Sequence, residues 1–309
     1  MRFATGLPGV NLYPPTTQPW EREMGTADFQ LVARTADELG FDAISIPEHI
    51  VVPDEMVELM GSSWSHAMTV MAFVAGATSR IEVDSAVIVL PYHHPVVLAK
   101  AIATLDVLSG GRVRVSVGVG HAEREFEVLG VPYHERGRVA DEYLAAMVEL
   151  WTSDRPRFAG RYVSFEDVAF EPKPRRAPHP PIIIGGNSDA AVRRAARHDG
   201  WFPWLITADE LPSRLARVRS EPGFDERDRP FEVVLPLAPL NVDEQHRPLE
   251  GADGRAHVPE GAQAVVDAVA HLAPLGVTQT MVPLPPARSL AEHLEGLHWL
   301  AEEVMPHCP

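Results

Sequence analysis

Residues 182–198 read IIIGGNSDAAVRRAARH and form one complete unit of strand, turn and helix. The β-branched run Ile182–Gly185 predicts a buried strand, and the glycine pair at its end predicts a tight turn. Ser188 is a favoured N-cap residue for a helix that runs from Asp189 to His198. The same order recurs along the chain, so this stretch sets the fold class.

Further strands are predicted from short β-branched runs, each followed by a segment of helical periodicity. These runs are residues 2–6, 43–46, 81–90, 113–119, 200–204, 231–237 and 280–284. Together with the opening stretch they predict a single domain over residues 1–309, an α/β fold of the (β/α)₈ TIM-like barrel type with insertions in its βα loops. An open doubly wound sheet is the alternative, although no Gly-x-Gly-x-x-Gly turn follows the first strand.

Three long connections, residues 7–25, 50–63 and 241–260, follow predicted strands one, two and seven. We therefore expect them at the C-terminal mouth of the barrel, where the active sites of such barrels lie. The charged segment 241–260 is a candidate mobile cover for that mouth. The proline-rich stretch 152–181 runs from a helix into a strand, which predicts a position at the opposite end.

Composition narrows the class of protein. The formal net charge of −16 over 309 residues disfavours nucleic acid as a partner, because phosphates select clustered Lys and Arg. No apolar run is long enough to span a bilayer, and the first residues lack the apolar core of a secretion signal. We expect a soluble, cytoplasmic protein without a membrane partner. The single cysteine, Cys308, can form neither an internal disulfide nor a cysteine-based metal site.

Glu48 and His49 follow the second predicted strand, so a carboxylate and an imidazole emerge side by side at the expected mouth. Such an imidazole can donate a hydrogen bond to a ligand ring or exchange a proton with it. The structural alternative is that Glu48 pairs with an arginine and His49 hydrogen-bonds a loop. The residues alone leave both interpretations open.

Histidines also follow the third and fourth predicted strands. His94 is placed to cap the helix that Pro95 opens, whereas His93 stays open as a pocket residue. His121, which follows Gly118-Val119-Gly120, is a second candidate acid or base. The glycines before it either let a planar ligand approach the backbone closely or serve a tight turn.

The turn Gly185-Gly186-Asn187-Ser188 gives the clearest ligand signal. Two glycines and a capping serine leave backbone N–H groups free at a helix N-terminus, which is an arrangement that binds phosphate. The alternative is an ordinary glycine-rich turn, and the charge of Asp189 would repel a phosphate beside it. Trp204, at the end of the sixth predicted strand, offers aromatic surface for a ring.

A metal-dependent hydrolase barrel is a weaker alternative. The histidines available to it are His49, His66, His93, His94, His121 and His134. The chain has no His-x-His after the first strand and no His-Glu-x-x-His motif. We therefore predict no metal site.

Motifs spread over roughly residues 1–205 resemble the luciferase-like monooxygenase superfamily, and more narrowly its F420-dependent oxidoreductases. They lie at residues 40–49, 87–95, 98–100, 104–112, 118–120, 125–130, 171–174, 180–182 and 185–188. The C-terminal third matches only loosely. As a set these motifs are specific for the superfamily, much less for the cofactor, and hardly for the substrate.

The resemblance implies a barrel with the deazaflavin ring in its mouth and the cofactor phosphate near residues 185–188. It implies that His49 is the active-site histidine and that Glu48 contacts the deazaflavin. It also implies a cis peptide bond in the third strand, which falls at Ala86–Val87 and bulges behind the ring. Some deazaflavin enzymes use a glutamate for proton transfer at the position of His121, so this chain departs from them there.

The activity that the resemblance implies is hydride transfer between coenzyme F420 and a small organic substrate. Its site residues are His49, Glu48 and His121 for catalysis and Gly185, Gly186, Asn187, Ser188, Ala86, Val87, Gly6 and Trp204 for the cofactor. An FMN-dependent monooxygenase is the alternative within the family, and a catalytically silent flavin-binding barrel is the alternative outside catalysis. A homodimer is expected by family analogy alone.

Overall fold

The computed structural model describes residues 1–227, 229–243 and 246–309. The strands are β1 (Arg2–Gly6), β2 (Ala43–Ile46), β3 (Glu82–Ser85), β4 (Ile88–Val89), β5 (Val113–Gly118), β6 (Phe158–Ala159), β7 (Ser164–Phe165), β8 (Ile182–Gly185), β9 (Gly200–Phe202), β10 (Glu232–Val233) and β11 (Gln279–Met281). The α-helices are α1 (Thr26–Leu39), α2 (Val57–Met60), α3 (Ala67–Ala77), α4 (Pro95–Leu108), α5 (Glu123–Leu129), α6 (Arg136–Thr152), α7 (Asp189–Ala195), α8 (Leu211–Ser220), α9 (Ala262–Leu272) and α10 (Leu290–Trp299). Short 3₁₀ turns lie in the connections.

The parallel strands close into a barrel. They pair in the order β10-β9-β8-β5-β3-β2-β1-β11, and β4 also pairs with β5. Val234 and Gln279 form a parallel bridge that joins the two ends of this sheet. The Leu235 amide donates to the Gln279 carbonyl at 3.0 Å across the same seam. This closure confirms the predicted TIM-like barrel and excludes the open doubly wound sheet.

Four of the predicted strands differ from the observed ones. Residues 81–90 do not form one strand, because the chain leaves the ladder between β3 and β4 at the Ala86–Val87 peptide bond, which is cis. The strands β9, β10 and β11 are shorter than predicted, and a proline follows the end of each within three residues, at Pro203, Pro236 and Pro283. Proline has no amide hydrogen to donate to a ladder, so regular pairing is interrupted there, although the Leu237 amide beyond Pro236 still donates to the Met281 carbonyl at 3.0 Å.

The segment 152–181 contains a feature that the sequence analysis missed, the antiparallel hairpin of β6 and β7. Its position agrees with the prediction. Arg176 donates to Glu82 at 2.8 Å, and Glu82 begins β3, so the part of the segment around Arg176 lies at the N-terminal end of the barrel. In the described ranges, no helix is both long and apolar enough to cross a bilayer.

A charged network fills the barrel interior below the mouth. Arg114 is fully buried and donates to Asp84 at 2.7 Å, to Glu232 at 2.9 Å and to the Gln279 side-chain oxygen at 2.6 Å. Ser116 donates to the other oxygen of Asp84 at 2.8 Å. Buried charges persist only when paired and hydrogen-bonded, so this network ties four barrel strands together.

His198, between α7 and β9, predicts how stability depends on pH. Burial, with His179 and two arginines nearby, lowers its pKa to about 4 from an ordinary 6.5. As the pH falls from 6.5 towards 4, His198 takes up a proton in the unfolded chain but stays neutral in the folded chain. The free energy of unfolding therefore decreases in that pH range. Between pH 7 and pH 5 the wild type should lose unfolding free energy, and His198→Gln should lose about 1–2 kcal/mol less. Urea denaturation at the two pH values measures both losses.

Exposed His134 supplies the control for that measurement, since 86% of its side-chain surface is accessible. His134→Gln should leave the pH dependence unchanged. A His198→Gln variant that loses as much stability as the wild type between pH 7 and pH 5 would contradict the assignment.

Candidate active site at the barrel mouth

The three long connections meet at the C-terminal end of the barrel, as predicted. Asn11 in the first bridges to Trp64, just past the second. Arg255 in the third donates from Nε to the Pro15 carbonyl at 2.9 Å. Glu244 and Gln245, which belong to the predicted cover, lie outside the described residues. The mouth is thus framed by three loops that contact one another.

His49 is held at the end of β2 by the carboxylate of Glu125. Its Nδ1 lies 2.9 Å from Glu125 Oε2, which also accepts from the Tyr92 hydroxyl at 2.8 Å. Oε1 of Glu125 accepts from the amides of Ile50 and Val51 at 2.6 and 3.1 Å. Glu125 is completely buried, and His49 is 8% exposed. The imidazole is therefore fixed by Nδ1, and Nε2 has no hydrogen-bond partner within the described ranges.

The same contacts keep Glu125 ionised. Burial alone would raise the pKa of this carboxyl, but hydrogen bonds and charge from His49, the Ile50 amide and the Tyr92 hydroxyl lower it below its ordinary value. Burial and the neighbouring Glu125 charge raise the pKa of Tyr92. The phenol thus stays a neutral donor, and the carboxylate stays a negative partner for His49.

Glu48 is held at the end of β2 by two contacts. Its buried carboxylate accepts from the Val89 amide at 2.8 Å and lies 3.0 Å from Nε2 of His93. It pairs with a histidine rather than the expected arginine. His93 therefore faces the mouth, whereas His94 is exposed and precedes α4 without a side-chain capping bond. Glu48 fastens β4 to the end of β2.

His121 and His246 stack at the mouth, with ring centroids 5.0 Å apart. His49 meets the edge of His121 at 5.7 Å, and Trp204 lies 5.5 Å from His246. Part of His121 is exposed, yet desolvation and the neighbouring His246 and His49 lower its pKa to about 4. His121 is therefore neutral at neutral pH. Its ring offers a flat surface at the mouth.

The glycines at the ends of β5 and β8 make room for Val87. A Cβ on Gly118 would lie 2.7 Å from a Val87 methyl, and one on Gly185 would lie 3.0 Å from the other methyl. Gly120 has φ +77°, and a Cβ there would lie 2.7 Å from Val89. These glycines thus admit protein side chains beside the cis Ala86–Val87 peptide bond. Gly6 has open space where a Cβ would stand.

The turn after β8 keeps backbone donors free. Ser188 caps α7 by accepting from the Ala191 amide at 3.2 Å. The Asn187 side chain accepts from the Trp204 amide at 2.9 Å and also donates to the Trp204 carbonyl, so it fastens the turn after β9. Across the part of the chain that the structure describes, the amides of Asn187, Ser188 and Asp189 donate to no protein acceptor.

Asp189, the residue expected to repel a phosphate, has a cationic partner. Arg217 of α8 lies 2.8 Å from its carboxylate, and this pairing lowers the pKa of Asp189. Arg193 and Arg214 add positive charge nearby. The surface next to the turn is therefore basic in a chain whose net charge is strongly negative.

Glu125 is the site residue that the sequence analysis missed as a functional residue. Ala122, Glu125 and Phe126 are buried, whereas Glu123 and Glu127 are exposed. Helical spacing alone places Glu125 on the apolar face of α5 with Phe126, and a carboxylate on such a face was the available signal. Tyr92 had no comparable signal, because its partner is 33 residues away.

Comparisons with known proteins agree with this architecture. An uncharacterized protein of Mycobacterium tuberculosis is 32% identical over 228 residues, which cover 69% of this chain and 77% of that protein. The FMNH₂-dependent dimethylsulfone monooxygenase of Pseudomonas putida is 30% identical over 207 residues, 65% of this chain and 55% of that enzyme.

Two solved structures share the fold at low identity. A monooxygenase from Streptomyces bottropensis superposes with a TM-score of 0.78 at 20% identity and 99% coverage of both chains. The coenzyme F420-dependent tetrahydromethanopterin reductase of Methanopyrus kandleri superposes with a TM-score of 0.73 at 16% identity, over 100% of this chain and 99% of that chain. A family model described as luciferase-like monooxygenase matches residues 1–272, and the chain therefore belongs to that family.

Proposed function

We propose that this chain is an F420-dependent oxidoreductase that transfers a hydride between the deazaflavin and a small organic substrate in the barrel mouth. The observation that carries the proposal is the buried pair of His49 and Glu125, which presents Nε2 of an imidazole at the end of β2. A fixed imidazole with one free nitrogen is suited to bonding a ring or moving a proton.

The residues present fit such a cofactor. The free amides of Asn187, Ser188 and Asp189 converge on one turn, which suits a phosphate. Beyond that turn, Arg193, Arg214 and Arg217 would attract further negative charge, and the deazaflavin tail continues past its phosphate as an anionic chain. Gly6 leaves the opposite wall of the mouth open.

Each site residue then has a distinct role. Reduced F420 supplies the hydride when bound, and the protein supplies position and electrostatics. Glu125 holds the His49 ring in one orientation and stabilises positive charge on it, so Nε2 can accept or return a proton while Nδ1 stays bonded. Glu48 acts as a positioning residue, since it is bonded to Val89 and His93. His121 stacks on His246 and contributes a contact surface at the mouth.

An FMN-dependent monooxygenase is the second candidate. The relative from Pseudomonas putida is FMNH₂-dependent and shares 30% identity, more than the 16% of the F420-dependent reductase structure. FMN ends in a single phosphate, which the turn after β8 also suits. The arginines beyond the turn are the feature that favours the longer anionic tail of F420.

Titration of the purified protein with F420 and with FMN separates the two. We expect tighter binding of F420, and Arg217→Gln should weaken F420 binding several-fold while changing FMN binding less. Arg161→Gln, in the turn of the β6–β7 hairpin and paired with Glu135, is the matched control. Much tighter binding of FMN than of F420 would contradict the proposal and favour the FMN-dependent monooxygenase. Absence of cofactor reduction across a substrate panel in stopped-flow would support the silent flavin-binding barrel.

We extend the proposal to a homodimer formed through the outer face of α4. Val97 and Leu108 on this helix are 67% and 78% exposed. Light scattering should give about twice the chain mass of 33.9 kDa, and Leu108→Glu should shift the protein towards one chain. A wild-type mass of one chain would refute the dimer.

A further inference from the structure

We propose that Glu48, His66 and His93 form a binding site for a divalent transition-metal ion of the zinc class. One potential ligand atom from each residue lies within 4.8 Å of the other two. The proposed hydride transfer does not use His66, and the proposal stands whichever flavin binds. It departs from the prediction of no metal site, because the fold assembles donors that are not neighbours in the sequence.

Each donor comes from a separate, fixed segment of the mouth. Glu48 follows β2 and is anchored by the Val89 amide at 2.8 Å. His93 follows the turn Leu90–Tyr92, and its amide donates to the Leu90 carbonyl at 3.2 Å. His66 precedes α3, and its Nδ1 lies 3.1 Å from the Thr69 hydroxyl. Ligands held by surrounding hydrogen bonds need little rearrangement to bind an ion.

The charge balance at Glu48 also favours a cation. The Glu48 side chain is fully inaccessible, and its ion pair is with His93, whose side chain is 15% exposed. Within the described ranges no lysine or arginine pairs with this carboxylate. A buried carboxylate needs compensating positive charge, and a divalent ion held between two neutral imidazoles and the carboxylate provides it.

The donor set indicates the class of ion. Two imidazole nitrogens and one carboxylate oxygen favour Zn²⁺ and its neighbours over Mg²⁺ or Ca²⁺, which prefer oxygen ligands. Three protein ligands leave a coordination position open, and His66 is exposed, so that position faces solvent. Water or an oxygen atom of a substrate would occupy it.

Titration of the chelator-treated, tag-free full-length protein with Co²⁺ and Zn²⁺ tests the proposal. We expect one equivalent of Co²⁺ to give visible d–d absorption that Zn²⁺ displaces, and Zn²⁺ to raise the melting temperature of the wild type. His66→Asn is the decisive variant. It removes the imidazole but keeps a side-chain oxygen suited to capping α3, so it should fold. Affinity should fall at least about 100-fold in His66→Asn and in His93→Gln.

His94→Gln and His121→Gln, at the same mouth, are matched controls that should bind as the wild type does. The proposal is overturned by weak or substoichiometric binding to the wild type, by full binding in His66→Asn, or by loss of binding in His121→Gln with retention in His66→Asn. Melting temperatures without metal show whether each variant is folded, so a binding loss can be assigned to the ligand.

Discussion

Replacing His49 with alanine should lower turnover about 10²–10⁴-fold while changing cofactor affinity by less than about threefold. The side chain is fixed through Nδ1 to Glu125, and its Nε2 is the nitrogen left for chemistry. The proposed phosphate contacts lie at another strand end and do not involve this ring. Steady-state kinetics and a cofactor titration on the same preparation measure both quantities.

Glu125→Gln tests the origin of that effect. The glutamine side chain cannot stabilise positive charge on His49, so turnover should fall, though by a smaller factor than in His49→Ala. The pH dependence of turnover should also change. His94→Ala, at the same mouth but exposed, is the control and should keep full turnover. Unchanged turnover in His49→Ala would remove this residue from the mechanism.

Arg114→Met should cost about 3–5 kcal/mol of unfolding free energy. The side chain is completely buried, and its removal leaves Asp84 and Glu232 without their shared cation inside the barrel. Repulsion between carboxylates and their desolvation then act together. Chemical denaturation at neutral pH measures the change.

Arg124→Met is the control for Arg114. Arg124 pairs with Glu127 at the surface, where both side chains are more than half exposed, so Arg124→Met should change stability little. A loss below about 1 kcal/mol in Arg114→Met would mean that the interior network does not hold the barrel together.

Where local sequence decides the structure, the fold was predictable. The strands Arg2–Gly6, Ala43–Ile46 and Ile182–Gly185 end where expected, since β-branched runs and flanking glycines set them. The third strand was not predictable from periodicity, because residues 86–87 read as strand residues but turn out of the ladder. The pairing of Val234 with Gln279 spans 45 positions, and no local pattern specifies it.

The positions of the candidate site residues could be predicted from the sequence, but the contacts between them could not. The rule that polar residues at strand ends line the mouth located His49, Glu48 and the turn after β8. It did not give their partners, because the bonds of His49 to Glu125 and of Glu48 to His93 join segments 76 and 45 residues apart. The glycines at 118 and 185 admit Val87, a contact that depends on the course of the chain after β3.

A crystal structure of the protein soaked with F420 tests the central claim most directly. We expect the cofactor phosphate within hydrogen-bonding distance of the Asn187, Ser188 and Asp189 amides, with the ring beside Nε2 of His49. A phosphate bound elsewhere, or a barrel mouth that stays empty at saturating coenzyme, would contradict it.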